Sequence, residues 1–161
     1  MKVLFVCLGN ICRSPMAEGV FLDLVKKEGL EGKIIADSAG TSRYHAGSLP
    51  DSRMRQVARQ KGIELTHKSR QLTFGDFYDF HYIVAMDESN YTDIISEKPV
   101  NDDHRAKIVM MREFDPIPDS NDVPDPYYGG AEGFENVYSI LHRSCKVFLQ
   151  HVKAEIAMRT V

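Results

Sequence analysis

The chain has 161 residues, 43% of them hydrophobic and 27% charged, with seven prolines, eleven glycines and a net charge of −3. These values fit one domain over residues 1–161 and exclude a disordered, collagenous or coiled-coil chain; the slight acidity argues against a general nucleic-acid binder, which needs a basic surface. Three cysteines are too few, and odd in number, for the disulfide framework of a small secreted domain, so a reducing cytoplasm is expected and a thiol is left free for chemistry.

Lys2 to Val6 is a short β-branched and aromatic run, apolar on both alternations, as a central parallel strand buried on both faces requires. It ends far short of the roughly 18 apolar residues that span a bilayer, no later stretch does better, and no cleavage site for a signal peptide follows. Ser14 followed by Pro15 reads as a capped helix start, and Ala17, Val20, Phe21, Leu24 and Val25 recur at helical spacing until Gly29. Lys33 to Ala39 is expected to be a second strand, Asp51 to Lys61 a second helix ended by Gly62, and Phe80 to Met86 a third strand. A helix from Asp87 to about Pro99, a strand from Lys107 to Met111 and a long closing helix through Phe134, Val137, Leu141 and Phe148 complete the pattern. Between them, Asp115 to Gly130 holds four of the seven prolines and must be irregular; loops of this length are commonly functional.

Alternating strands and helices predict an α/β fold, a doubly wound parallel sheet of four strands between helical layers. Ligands of such sheets bind at the carboxyl ends of the strands, where the strand order reverses. Charge is placed unevenly on this frame. Arg53, Arg55, Arg59, Lys61, Lys68 and Arg70 crowd one segment, whereas Asp115 to Glu135 carries six acids and no Lys or Arg, so two opposite segments can face one site.

The first strand-to-helix loop is Cys7-Leu8-Gly9-Asn10-Ile11-Cys12-Arg13-Ser14. A cysteine ends the strand, a guanidinium follows six residues later, and the backbone between them can turn its N–H groups and a helix N-terminus toward one centre. Gly9 and Asn10 tolerate the left-handed conformations such a nest needs, and Arg13 can grip two oxygens of a phosphoryl group. The same surroundings favour a Cys7 thiolate, with the Ser14 hydroxyl able to donate to the sulfur.

With these residues the chain resembles the low-molecular-weight protein tyrosine phosphatases. Cys7 to Ser14 matches the family's C-x5-R-S phosphate loop, Asp37-Ser38-Ala39-Gly40-Thr41 its second-strand motif, Met86-Asp87 its third-strand end and Asp125-Pro126-Tyr127-Tyr128 its acid loop. The resemblance implies a flavodoxin-like three-layer sandwich. It also implies phosphotyrosine-bearing proteins or peptides as partners, inorganic phosphate as product, and no cofactor. Cys7 is then the nucleophile, Arg13 the phosphate binder and transition-state stabiliser, and Asp125 the general acid and later the base. The phosphate-binding loop is Leu8, Gly9, Asn10, Ile11, Cys12, Arg13 and Ser14, held in shape by Asn10, Ser14, Ser38 and His67. Ile11, Tyr127 and Tyr128 would wall a slot for a flat phenyl ring.

Cys12 is either a packed thiol or, as the resemblance favours, the partner of Cys7 in a protective reversible disulfide. Cys145, on the last helix, has no assigned role. No histidine pair has zinc-site spacing, so no metal is expected, and the chain is expected to be monomeric or weakly self-associating. A phosphoarginine phosphatase is a rival on the same loop; similar bacterial enzymes carry Thr where this chain has Ile11 and lack the paired tyrosines. An arsenate reductase would need relay cysteines, and none lies between Cys12 and Cys145. A nucleotide-binding P-loop would need a Gly-Lys pair after Gly9, and a non-catalytic phosphate-binding module would have no use for both Cys7 and Asp125.

Overall fold

The computed structural model describes residues 1–101 and 103–159. Strands β1 (Lys2–Cys7), β2 (Ile35–Gly40), β3 (Tyr82–Ala85) and β4 (Lys107–Met110) form one parallel sheet in the order β2-β1-β3-β4. Phe5 of β1 pairs with Ser38 on one side and Val84 on the other, so β1 lies inside the sheet. Successive strand side chains point to opposite faces. Val3, Phe5 and Cys7 enter one core with helix α1 (Arg13–Lys27) and the closing helix, whereas Leu4 and Val6 enter another with Phe77 and Ile94. This is why β1 reads as continuously apolar.

The first core centres on Phe5, Phe21 and Phe148, whose rings meet at 5.4–6.2 Å between centroids, mostly edge to face. Helix α2 (Ser52–Gln60) packs beside α1 and the closing helix, and its cap is the Asp51 carboxylate, which accepts the Arg53 N–H at 2.8 Å. The other face is covered by a short helix α3 (Asp76–Asp79) and by α4 (Glu88–Glu97), capped by Asp87 through the Asn90 N–H at 2.7 Å. The closing helix, α5 (Ala131–Arg159), runs for 29 residues. The chain leaves β1 toward β2 on one side and returns to β3 on the other, which places the crevice of the sheet at the end of β1.

Several boundaries differ from the expectation. α1 starts at Arg13 after a Cys12 cap with no side-chain bond, so Ser14 lies inside the helix rather than capping it; Pro15 still falls within the first turn, whose N–H groups have no helical partner anyway. β2 starts at Ile35 rather than Lys33, because the Lys33 and Ile34 N–H groups close a turn on the Leu30 carbonyl. β3 starts at Tyr82, since Phe80 caps α3, which is too short to show a periodicity in sequence. A 3-10 turn, Met111–Phe114, takes over after β4. The Asp115–Gly130 segment lacks helix and strand as expected, and its first residue is anchored by Arg112 and Arg143.

Candidate active site

The loop after β1 turns through Asn10, the single non-glycine residue with positive φ (56°) among those described. That turn aims the Asn10 N–H at Cys7 Sγ, 3.3 Å away. Its side chain is equally committed. Nδ2 donates to Ser14 Oγ at 2.8 Å and to Ser38 Oγ at 3.0 Å, while Oδ1 accepts the backbone N–H of Arg70 at 3.0 Å and faces His67 Nε2 at 2.9 Å. Because a backbone amide can only donate, Arg70 fixes which end of Asn10 is oxygen, and His67 Nε2 must carry the hydrogen. Ser14 Oγ, already accepting from Asn10, has one hydrogen to direct at Cys7 Sγ, 3.0 Å away, or at the Ala39 carbonyl, 3.4 Å away.

The rest of the loop leaves donors open. Among the described residues the N–H groups of Leu8, Gly9, Ile11, Cys12, Arg13 and Ser14 donate to no protein acceptor. With the start of α1 they form a concave anion-binding surface. β2 makes room for it at Gly40: a Cβ there would stand 2.7 Å from the Leu8 carbonyl oxygen and 3.2 Å from the Asn10 nitrogen. Glycine is required by that approach.

Arg13 is buried, and its Nη1 donates to Asp87 Oδ2 at 2.6 Å and to the Val123 carbonyl at 3.1 Å. Its Nη2 faces Asp125 Oδ2 at 3.6 Å. The Asp125 side chain is 42% exposed and accepts the Tyr127 N–H at 3.0 Å, so it stands at the mouth of the site. A cleft of about 490 Å³ joins these groups. Cys7, Leu8, Ile11, Arg13, Asp125, Tyr127 and Tyr128, all named in the sequence analysis, line it, and so do Ser42, Tyr44 and His45, which the sequence did not reveal. Tyr44 and Tyr128 are almost fully exposed and form its outer rim.

Behind the loop, Ser38 Oγ donates to Glu18 Oε1 at 2.6 Å, and His67 Nδ1 lies 3.2 Å from Asp37 and 3.6 Å from Glu18. Burial pushes the Glu18 carboxyl up to about 7 and pulls the His67 imidazolium down, the latter opposed by Asp37. Glu18, Asp37 and His67 bring ligand-type atoms within 4.8 Å of one another, although the sequence offered no metal spacing. Arg70, forked between Asp37 and Asp76, and the Ser38 hydroxyl already supply the positive ends these oxygens require. The cluster forms a continuous polar network that reaches Asn10 through Ser38 and His67.

Cys12 and Cys145 are free and buried, like Cys7. Burial pushes both thiols up, reinforced at Cys12 by Asp51 and Cys7, so both are protonated near neutrality. Cys145 sits in the core with its sulfur 3.9 Å from the Ala17 carbonyl. The basic and acidic segments do meet: Lys61 pairs with Glu135 at 2.8 Å, and Arg53 reaches the Tyr127 carbonyl at 3.1 Å.

Comparison with known proteins agrees with this geometry. Residues 2–158 match the family model described as low molecular weight phosphotyrosine protein phosphatase. The chicken protein of that name (Gallus gallus) is 47% identical over 149 residues, covering 92% of this chain and 94% of its own. The fission yeast protein of that name (Schizosaccharomyces pombe) is 45% identical over 153 residues, covering 94% and 97%. Among solved structures, a protein tyrosine phosphatase of Entamoeba histolytica with Hepes in its active site superposes with TM-score 0.90 at 41% identity, over 96% of this chain and 98% of that one. A Drosophila arginine phosphatase superposes with TM-score 0.90 at 38% identity, over 95% and 98%. With a model match from the first strand to the end of the last helix, this chain belongs to the low molecular weight phosphotyrosine protein phosphatase family.

Proposed function

We propose that the protein hydrolyses phosphotyrosine in proteins or peptides through a phosphocysteine intermediate. Cys7 Sγ attacks phosphorus, the P–O bond to the aryl group breaks, and Asp125 delivers a proton to the departing phenolate oxygen. Water then attacks the S–P bond, Asp125 takes its proton, and inorganic phosphate leaves with Cys7 restored as thiolate. Arg13 and the open N–H groups from Leu8 to Ser14 hold the equatorial oxygens throughout, donors whose fixed positions favour the charge of the transition state. The observation that carries this reading is the convergence of Cys7, Arg13 and Asp125 on one cleft, Arg13 standing 3.6 Å from Asp125.

Asn10, Ser14, Ser38 and His67 keep the loop in shape, because the Asn10 side chain is bonded at both ends, to Ser14 and Ser38 through Nδ2 and to His67 and the Arg70 N–H through Oδ1. Ile11, Tyr127 and Tyr128 supply an apolar and aromatic wall suited to a phenyl ring. Cys12 serves as the redox partner of Cys7, trapping a sulfenic acid as a disulfide before further oxidation. A reducing cytoplasm suits such a thiol enzyme, and no described helix is long and apolar enough to cross a membrane.

Turnover of an aryl phosphate without added metal tests the reading. Cys7→Ser is expected to bind phosphate without turnover, and Asp125→Ala to lose about 10²–10⁴-fold with a poor leaving group and far less with a good one. Activity surviving Cys7→Ser would overturn it. For Cys12, mild peroxide followed by reductant should restore activity in the parent and not in Cys12→Ser.

A further inference from the structure

The stretch 124–130 carries Asp125, yet it is weakly held. Among the described residues its hydrogen bonds and ion pairs to the rest of the protein are three: Asp125 to Arg13 at 3.6 Å, the Tyr127 carbonyl to Arg53 Nη2 at 3.1 Å, and, where the stretch enters α5, the Gly130 carbonyl to the Gly133 N–H at 3.0 Å. Arg53 does not line the cleft, but its guanidinium stands 5.6 Å from the Tyr127 ring centre and 4.6 Å from that of Phe134. Its other donors fork onto Asp51, Nε at 3.0 Å and Nη2 at 2.9 Å. The Asp51 N–H in turn donates to the Ile11 carbonyl at 2.8 Å, inside the phosphate-binding loop.

Asp51 and Arg53 thus bridge the two loops of the active site. One end is bonded to the Ile11 carbonyl in the loop that holds the nucleophile, and the other to the Tyr127 carbonyl, two residues after Asp125. We propose that Arg53 is a positioning residue for proton delivery: it sets the distance between Asp125 and the phosphate held over Cys7. This rests on the assignment of Asp125 as general acid. A fork geometry is required, because Nη2 spends one hydrogen on Asp51 and the other on Tyr127 while Nε completes the grip; an ammonium has the charge without that planar arrangement. The guanidinium also stands over the Tyr127 ring, 5.6 Å from its centre, a cation–π approach to the same loop.

The test is a leaving-group series from nitrophenyl to phenyl phosphate, read as kcat/KM, which reports steps up to cleavage of the P–O bond. Arg53→Gln should lose about tenfold to a hundredfold with phenyl phosphate, because a displacement of about 1 Å is costly in proton transfer, and about twofold or less with nitrophenyl phosphate. Arg53→Lys should fall with phenyl phosphate in the same way, since charge alone does not restore the fork. Inhibition by inorganic phosphate should stay within about twofold of the parent, and Arg53→Gln should add nothing when Asp125 is already Ala. An equal loss across the series, or the same loss in the Asp125→Ala background, would overturn the proposal in favour of general damage to the fold. If Arg53→Gln does not fold, Arg53→Lys carries the same comparison. A series flat for Asp125→Ala would remove the general-acid assignment itself; a series steep for Asp125→Ala and flat for Arg53→Gln removes the role of Arg53 alone.

Discussion

Arg13 and Asp87 form a 2.6 Å ion pair at the floor of the cleft, between the first turn of α1 and the cap of α4. Asp87 thereby does two things at once: one oxygen caps α4 through the Asn90 N–H, and the other aims the Arg13 guanidinium. Asp87→Asn separates the two roles, since Asn caps a helix about as well but cannot offer a charged acceptor. The expected result is near-parental thermal stability with kcat/KM reduced about tenfold or more and weaker inhibition by phosphate. Unchanged phosphate affinity would show that Arg13 keeps its aim without this partner.

Gly40 is the point where β2 yields to the phosphate-binding loop. A methyl group there meets three backbone atoms at 2.7–3.2 Å, none of which can swing aside as a side-chain tip can. Gly40→Ala should therefore push Leu8 and Asn10 outward and reduce turnover by about two orders of magnitude, with a folded circular dichroism spectrum. Gly32, with open space around it, is the control: Gly32→Ala should leave the rate untouched.

Glu18 gives the polar network behind the loop a pH dependence of known sign. Burial raises it from 4.5 to about 7, so the folded protein holds more protons than the unfolded chain between those values. Its contribution to stability therefore falls as pH rises through that window and is constant above it. Glu18→Gln removes the charge while keeping an acceptor for Ser38, and should be the more stable protein above pH 7, by at most about 3 kcal/mol, with the gap closing toward acid. Asp37, His67 and Arg70 face the same cluster and are present in both proteins; His67, pulled down by burial, gives the opposite slope and largely cancels in the difference. Urea unfolding of both proteins across this range provides the check, and a pH-independent gap would contradict it.

Ile11 is the position at which a choice between phosphotyrosine and phosphoarginine can be tested. It is buried at the wall of the cleft, where an aliphatic group suits an aryl ring and offers nothing to a guanidinium. Ile11→Thr should raise the ratio of specificity constants for phosphoarginine over phosphotyrosine, by about tenfold for a change of this size. Parallel kinetics with an unchanged ratio would assign the choice to the rim formed by Tyr44, His45, Tyr127 and Tyr128 instead.

How much of this was legible in sequence depended on distance along the chain. Cys7, Asn10, Arg13 and Ser14 occupy one loop, so their convergence needed only the strand-loop-helix pattern around them. Asp125 and Ser38 were reached through family motifs and His67 through the family resemblance; the structure puts Asp125 3.6 Å from Arg13, and Ser38 and His67 within hydrogen-bond reach of Asn10. Asp87 was visible as part of a motif, but its grip on Arg13, 74 residues away, required the order β1-β3 that lays their two loops side by side. Glu18 was invisible because it falls on a helix that already carries Asp23, Lys26 and Lys27, and only the docking of β2 shows that it turns inward. Tyr44 and His45 sit in an irregular stretch with no periodic signal, and Arg53 reads as one of several bases on a solvated helix.

The start of α1 has a consequence for stability. Cys12 occupies the position where a Ser, Thr, Asp or Asn would ordinarily tie down the first turn, and it makes no such bond. The fold forgoes about 1 kcal/mol at that end of the helix, and the vacant N–H groups are the ones directed at the phosphoryl site. An oxyanion thus completes a helix the polypeptide leaves unfinished, and the resting protein is less stable than the same chain holding phosphate or vanadate, by an amount that grows with ligand concentration.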